Sequence, residues 1–524
     1  MNIYACTDAS TSIYPKLLKI SAEMKVVQEE QLITVMDGPW SPTGLIREIV
    51  ETGTQEDPFY VMDLGEVVAR YHRWRELMPR VEPFYGELCF HVSTLYHLHA
   101  LEVWIVTWWG SSANPLAHHA CSLEELNTHT NMKSDFVLYH YRLNVCSSAV
   151  KCNDDKLLVS TLAALGTGFD CASKVEIELV TSIGVAPERI IFANPAKMAS
   201  HLRYASAVGV DVMTFDSENE LMKIKQYMPH AQLVIRFRCD AASAVNPLGL
   251  KFGCDPVTEA PRLLKLAAEV GLNVIGVAFH IGSGTSETEV YARAIALARA
   301  LFHVAHNVGH KNMRLLDVGG GFEGGLHTSI CEVAKVINCS LEEYFPERSV
   351  RVMAEPGTYF AAAAFTLAAM VYAKRERRDN AEGHTMYFIN DGVFGSFSSV
   401  VTYHEQVSAE PLKDNGSTPS ACSIWGPTCD AVDCVLPAAR LPALAVGDWL
   451  VFRDMGAYTL TIASGFNGFP VPTVRPVIDA RLYFPKVTFK SYVIGGEPTP
   501  TNWAHIHSGL LLSNGRSKNP KTLF

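Results

Sequence analysis

The sequence predicts an α/β fold: a (β/α)8 barrel of the TIM type, followed by a C-terminal β-sandwich or β-barrel domain. Three observations carry this. Between Ser148 and Phe360, eight short apolar runs alternate with helical patterns, the texture of parallel βα units. Each run ends in or near a polar or charged residue, and the C-terminal strand ends of such a barrel converge on one mouth. Beyond Phe360 the chain turns to apolar strands joined by turns, without long helices.

Taken in order, residues 1–60 form an N-terminal segment whose apolar run 31–36 can add a strand to the β domain. The barrel is placed at 61–360, with strands at 149–153, 168–172, 189–195, 210–216, 233–237, 274–281, 315–319 and 350–355. Helical patterns lie between them, at 174–183, 196–207, 217–228, 260–270 and 288–308. Eight units favour a closed barrel over an open sheet, because the eighth strand can pair with the first. At the strand ends stand Lys151, Asp170, Asn194, Asp216, Arg236, His280, Asp317 and Glu355. The β domain is placed at 361–485, with strands at 365–373, 386–390, 448–452 and 458–463, and 486–524 is a divergent tail.

Of the 524 residues, 48% are hydrophobic and 19% charged, which excludes a disordered or collagen-like chain. The net charge of −10 offers no footprint for nucleic acid or acidic lipid. Thirteen Cys without regular spacing fit reduced thiols better than a disulfide framework. No run is long enough to span a bilayer, and residues 1–10 lack the basic start and apolar core of a signal peptide. A cytoplasmic protein is expected, with no membrane or nucleic-acid partner and no metal.

Residues 86–148 read differently from the rest. They hold seven of the 19 His and three of the eight Trp, with few charges. His91, His97, His99, His118, His119, His129, Cys89, Cys121 and Cys146 suggest a metal or regulatory insertion, but no spacing forms a recognised ligand pattern. The stretch reads better as an intron retained in frame: Gly86-Glu87 can be encoded as G|GT-GAG and Ser148-Ala149 as TCA-G|CN. If it is translated, residues 145–148 are expected to replace 83–85 as the start of the first barrel strand. The insert would then leave at the barrel's N-terminal face.

Lys151, in Ala149-Val150-Lys151-Cys152-Asn153, is either a Schiff-base lysine activated by partial burial or a snorkelling surface lysine. Gly282-Ser283-Gly284 and Gly319-Gly320-Gly321 follow strands six and seven. Either is a turn by itself; together, on consecutive strands facing a mouth lysine, they point to a phosphorylated cofactor. Glu355-Pro356-Gly357 ends strand eight, where a carboxylate can hold a pyridine nitrogen protonated or simply be solvated. His280 is a ring that stacks on a cofactor or a core histidine. Cys429 is by default a buried thiol, and Asp430 binds an ammonium group or caps a turn.

These pieces together resemble the pyridoxal-phosphate decarboxylases that include eukaryotic ornithine decarboxylase and its antizyme-inhibitor relatives. The similarity runs from about Val61 to Pro83 and from Ala149 to about Phe469. It is carried by 149–153, 166–173, 213–217, 279–284, 316–322, 355–357, 390–397, 423–430 and 447–463. The resemblance implies pyridoxal 5'-phosphate held by Lys151, with Glu355 on the pyridine nitrogen and His280 stacked on the ring. Ser283, Gly321 and Tyr458 would hold the phosphate, Gly319, Gly320 and Gly357 would also bind the cofactor, and Asp170 and Arg236 would line the site. Cys429 (proton donor to the α-carbon), Asp430 and Phe466 would enter from the second subunit of a homodimer. Ornithine is the implied substrate and putrescine the product. Residues 194–217, with Lys197 and Arg203, correspond to the antizyme-binding surface. Two departures stand out: the family's phosphate-gripping Arg is Thr358 here, and an Asp for the substrate's distal ammonium is Tyr403, leaving Asp430 or Glu405. A catalytically inactive, antizyme-inhibitor-like regulator is the alternative.

Overall fold

The computed structural model describes residues 33–86, 150–241, 249–283, 287–377 and 384–482, with the backbone of Trp503 and Ala504. Eight parallel strands close into a barrel: β1 Val81–Tyr85, β2 Gly168–Cys171, β3 Ile190–Phe192, β4 Val212–Phe215, β5 Gln232–Arg238, β6 Asn273–His280, β7 Leu315–Asp317 and β8 Arg351–Ala354. Phe84, Ile191, Val234, Ile275, Ala278, Leu315 and Met353 fill its interior, so the barrel is a packed core that leaves polar chemistry to the strand ends.

The first strand differs from the sequence expectation. Residues 150–152 form a 3-10 turn, not a strand. The strand is Val81–Tyr85, which pairs with β8 through Val352 and Val81 and with β2 through Phe84 and Gly168. Its side chains at 81 and 83–85 are buried, and Trp74, on the preceding helix Leu64–Leu77, donates its indole N–H to Val81 O at 3.0 Å. With both neighbours and its buried face satisfied, residues 83–85 are not displaced by 145–148, which lie outside the described residues.

The interruption therefore opens at the C-terminal end of β1, at the mouth of the barrel, and not at the N-terminal face. Gly86 accepts the Gly357 N–H through its carbonyl at 3.2 Å, and a Cβ on Gly357 would lie 3.1 Å from the Cys152 side chain. Tyr85 donates its hydroxyl to Asn153 O at 2.9 Å. Both ends of the interruption thus abut the turn after β8.

A ten-stranded sheet forms the second layer. Its order runs Cys434–Leu441, Ser420–Trp425, His384–Ile389, Phe365–Arg377, Phe59–Asp63, Thr473–Asp479, Thr34–Met36 and Trp503–Ala504, while Trp449–Phe452 bridges Phe365–Arg377 and Ala409–Pro411. Thr34–Met36 lies parallel to Thr473–Asp479. Phe59–Asp63, expected near the barrel's start, pairs in this sheet instead. It then feeds the helix Leu64–Leu77, whose N–H groups at Gly65 and Glu66 are capped by Asp63 at 2.8 and 3.2 Å. The predicted strand 458–463 is a turn: Tyr458 has φ +52° and Leu460–Ile462 is 3-10. Apolar residues that face the core from a tight turn carry the same composition as a strand. Among the described residues no helix is long and apolar enough to cross a membrane.

Candidate active site

The mouth is built by short elements whose ends face one another. Lys151, only 9% exposed, sits on the 3-10 turn, which is tied to the β domain by the Tyr458 N–H donated to Cys152 O at 2.9 Å. Asn153 reaches the same loop, its amide donating to Gly456 O at 2.8 Å. The lysine is thus buried, and the snorkelling alternative does not apply.

Asp170, near the end of β2, is fully buried, and neither carboxylate oxygen has a hydrogen-bond partner among the described residues. Burial and then the nearby Glu355 carboxyl hold its pKa well above the usual carboxylate range, while Lys151 and Arg236 oppose this. Glu355 follows β8 and is likewise raised, by burial first and by Asp317 second. Asp317 ends β7. It accepts the Gly319 N–H at 2.9 Å and is pushed by burial up to about 7. The Asp317 charge thus adds to the burial that raises Glu355, so the two neighbouring carboxyls titrate as a coupled pair.

His280, at the end of β6, accepts the Gly282 N–H on Nδ1 at 3.0 Å. That acceptor role places the ring proton on Nε2. Burial, with Arg236 and Lys151 nearby, holds the imidazole neutral, its pKa well below the ordinary value. The Gly319-Gly320-Gly321 turn closes over β7, with φ +64° at Gly319 and +97° at Gly321. A Cβ at Gly321 would lie 2.8 Å from Gly282 O, so the two glycine turns meet where a side chain would not fit. The Tyr291 hydroxyl fixes this turn through Gly320 O at 2.8 Å. Gly357 begins the short helix Gly357–Ala361, with Thr358 half-buried behind it. Ser283 ends the described part of the loop after β6.

Sequence reading assigned no role to Glu176. It lies in the first turn of helix Lys174–Ser182, fully buried, and accepts the Ala172 N–H at 2.7 Å and the Ser173 hydroxyl at 3.2 Å. Burial raises its pKa, and Asp170 and Lys151 are among its electrostatic neighbours. The signal was present as the capping box Ser173-x-x-Glu176, which reads as helix punctuation until the fold turns it to the mouth. Asp317 was seen as a strand end but was likewise given no role.

Other sequence candidates lie elsewhere. Cys429 and Asp430 are exposed on a loop of the β domain. The Cys429 N–H donates to Asn467 at 3.1 Å, and Asp430 accepts the Val432 N–H at 3.0 Å, which is a turn cap. Phe466, 42% exposed, stacks on Phe394 at 4.3 Å. Tyr403, half-buried, places its ring 5.3 Å from that of Tyr458. Lys197, expected to give the 194–217 surface basic character, is buried. Its ammonium bonds Glu220 at 2.9 Å, Thr214 O at 2.6 Å and Asn194 O at 3.1 Å. The stem of Lys197 reaches inward to neutralise a buried carboxylate, and only Arg203 of the two is exposed.

Around Lys151 and Arg236, the mouth therefore gathers four buried carboxyls: Asp170, Glu176, Asp317 and Glu355. Such an excess is stable only with shared protons or a further cationic group. A protonated pyridine ring with a phosphate tail fits these residues: Asp170 offers unmatched acceptors, and the glycine turns offer bare backbone.

Comparison with known proteins agrees with that donor set. The family model described as pyridoxal-dependent decarboxylase, pyridoxal binding domain, matches residues 127–362. Ornithine decarboxylase of Rattus norvegicus is 40% identical over 451 residues, 83% of each chain. Antizyme inhibitor 2 of Xenopus laevis is 39% identical over 461 residues, 84% of this chain and 86% of that protein. The crystal structure of the Paramecium bursaria Chlorella virus arginine decarboxylase bound to agmatine superposes with a TM-score of 0.68 at 32% identity, covering 83% of this chain and 99% of that one. The chain belongs to the family of pyridoxal-dependent decarboxylases that contains ornithine decarboxylase and antizyme inhibitor.

Proposed function

We propose that the protein is a pyridoxal-phosphate-dependent decarboxylase that converts L-ornithine to putrescine in the cytoplasm. One observation carries the reading: Lys151 is buried at the barrel mouth among Asp170, Glu176, Asp317, Glu355, Arg236 and His280, in a chain of this family. When bound, the cofactor supplies an electron sink for negative charge at the substrate's α-carbon. Lys151 would hold the cofactor through its side-chain amine. Glu355, with Asp317 beside it, would hold a proton on the pyridine nitrogen. His280, held neutral by burial, would bring no competing charge to the cofactor ring. Ser283, Gly319, Gly320, Gly321, Gly357 and Tyr458 receive the phosphate, and Asp170 and Arg236 set the charge beside the lysine.

Cys429, Asp430 and Phe466 act in the site of a second copy, a reading supported by their exposure together on one loop system. Cys429 returns a proton to the α-carbon and Asp430 meets the distal ammonium. Residues 194–217 form the antizyme contact, with Arg203 as its exposed base. Residues 86–148 remain, in this proposal, a retained intron within a barrel whose first strand is Val81–Tyr85, ahead of a β domain at 361–485.

A second reading, a non-catalytic antizyme-inhibitor-like regulator, is favoured by Thr358 and by Tyr403, whose ring contact with Tyr458 sets an aromatic wall where a carboxylate is expected. Loading the purified protein with pyridoxal phosphate and measuring labelled carbon dioxide from carboxyl-labelled ornithine separates the two. A Schiff-base absorbance band with turnover supports the enzyme. No band, together with tight antizyme binding, overturns it.

A further inference from the structure

We infer that Phe252 is a positioning residue that holds the Arg236 guanidinium in the mouth by its ring face. Arg236, on β5, is 4% exposed, with its guanidinium drawn into the buried end of the strand. Its electrostatic neighbours are Glu355, Asp216, Asp170 and Asp317. The guanidinium lies over the Phe252 ring, its carbon 5.4 Å from the ring centroid. A buried cation among several carboxyls has many near-equal directions to turn. A cation–π contact selects one of them, because the ring attracts the guanidinium without neutralising it.

The ring is itself held by a clasp across the end of β5. Cys254 donates its N–H to Arg236 O at 3.0 Å, Arg238 donates to Cys254 O at 3.1 Å, and the Cys254 thiol donates to Arg236 O at 3.3 Å. The Gly253 N–H donates to Asp216 at 2.8 Å. Gly253 has φ +89°, and a Cβ there would lie 2.7 Å from Arg238 N, so the clasp closes only with glycine at that position. Phe252 is 6% exposed, with Lys251 over the same ring at 5.1 Å. The clasp thus fixes the aromatic ring to the backbone of the very residue whose side chain it orients.

The consequence is electrostatic. Held in place, Arg236 opposes the burial that raises Asp170 and Glu355. Loosened, it leaves those carboxyls to keep their protons to higher pH.

The inference rests on the cofactor lying at this mouth. Its test is the pH titration of the cofactor absorbance in the loaded protein, with variants at 252. Phe252→Met, which keeps volume and burial but removes the ring, moves the midpoint up by about half to one and a half pH units. Phe252→Tyr keeps the wild-type midpoint. Should Met impair folding, mono-, di- and trifluorinated phenylalanine at 252 weaken the ring's negative face without changing its shape, and the midpoint then climbs stepwise with fluorine count. In an Arg236→Gln background none of these substitutions moves it. A wild-type midpoint in the Met variant, or no trend with fluorination, overturns the role of Phe252. Absence of the absorbance band in the wild type refutes the cofactor reading instead.

Discussion

Asp317→Asn tests the electrostatics of the mouth without touching its shape. In the folded chain the Asp317 carboxyl is raised from its ordinary 3.8 to about 7, chiefly by burial. A carboxyl raised on folding binds more protons in the native than in the unfolded state. Stability is therefore greatest near pH 4, and it is lost as the pH climbs through about 7. Some three pH units at about 1.4 kcal/mol each give a loss of roughly 4 kcal/mol across that window. Asparagine keeps the side-chain oxygen that caps Gly319 N–H and removes the titration. It also relieves Glu355, whose pKa is raised in part by the Asp317 charge. Urea denaturation of the cofactor-free protein between pH 4.5 and pH 7.5 should show a wild-type stability that declines steadily, while the variant's decline is shallower by about 1.4 kcal/mol per pH unit. Parallel curves for the two proteins would refute the raised Asp317 and the excess-carboxylate account of the site.

Three further outcomes are expected. Thr358→Arg restores one charge-assisted contact to the phosphate and tightens pyridoxal phosphate about ten- to a hundredfold, read by equilibrium dialysis; unchanged affinity would show that position 358 does not face the phosphate. Lys197→Met takes the ammonium from Glu220, which keeps the half-exposed Lys223 at 2.6 Å and the backbone N–H of residue 197 at 3.3 Å, and lowers stability by about 3–5 kcal/mol; a wild-type melting curve would place Lys197 back on the surface. Joining Tyr85 to Ala149 removes 86–148, the Gly86 carbonyl that accepts the Gly357 N–H included, but leaves the Tyr85 hydroxyl bonded to Asn153 O at 2.9 Å across the junction, so the shortened protein keeps its melting temperature and its cofactor band. Loss of either would mean that the inserted stretch supports the mouth.

The linear sequence by itself determined the α/β class, the eight βα units and most of the mouth. Those features are written in local periodicity, and polar residues at apolar strand ends survive as a pattern whatever the packing. Lys151, Asp170, Arg236, His280, Asp317 and Glu355 were legible for that reason. Only the tertiary structure decided which segment is the first strand, because residues 81–85 and 149–153 are equally apolar and the choice rests on pairing with β2 and β8, far away in sequence. It moved the interruption to the mouth. It turned Glu176 from a helix cap into a site carboxyl and took Lys197 from the surface into a buried ion pair. It also made a left-handed turn of the segment at Tyr458 that composition alone reads as a strand. Burial, charge pairing and strand partnership are properties of distant neighbours, and no local window contains them.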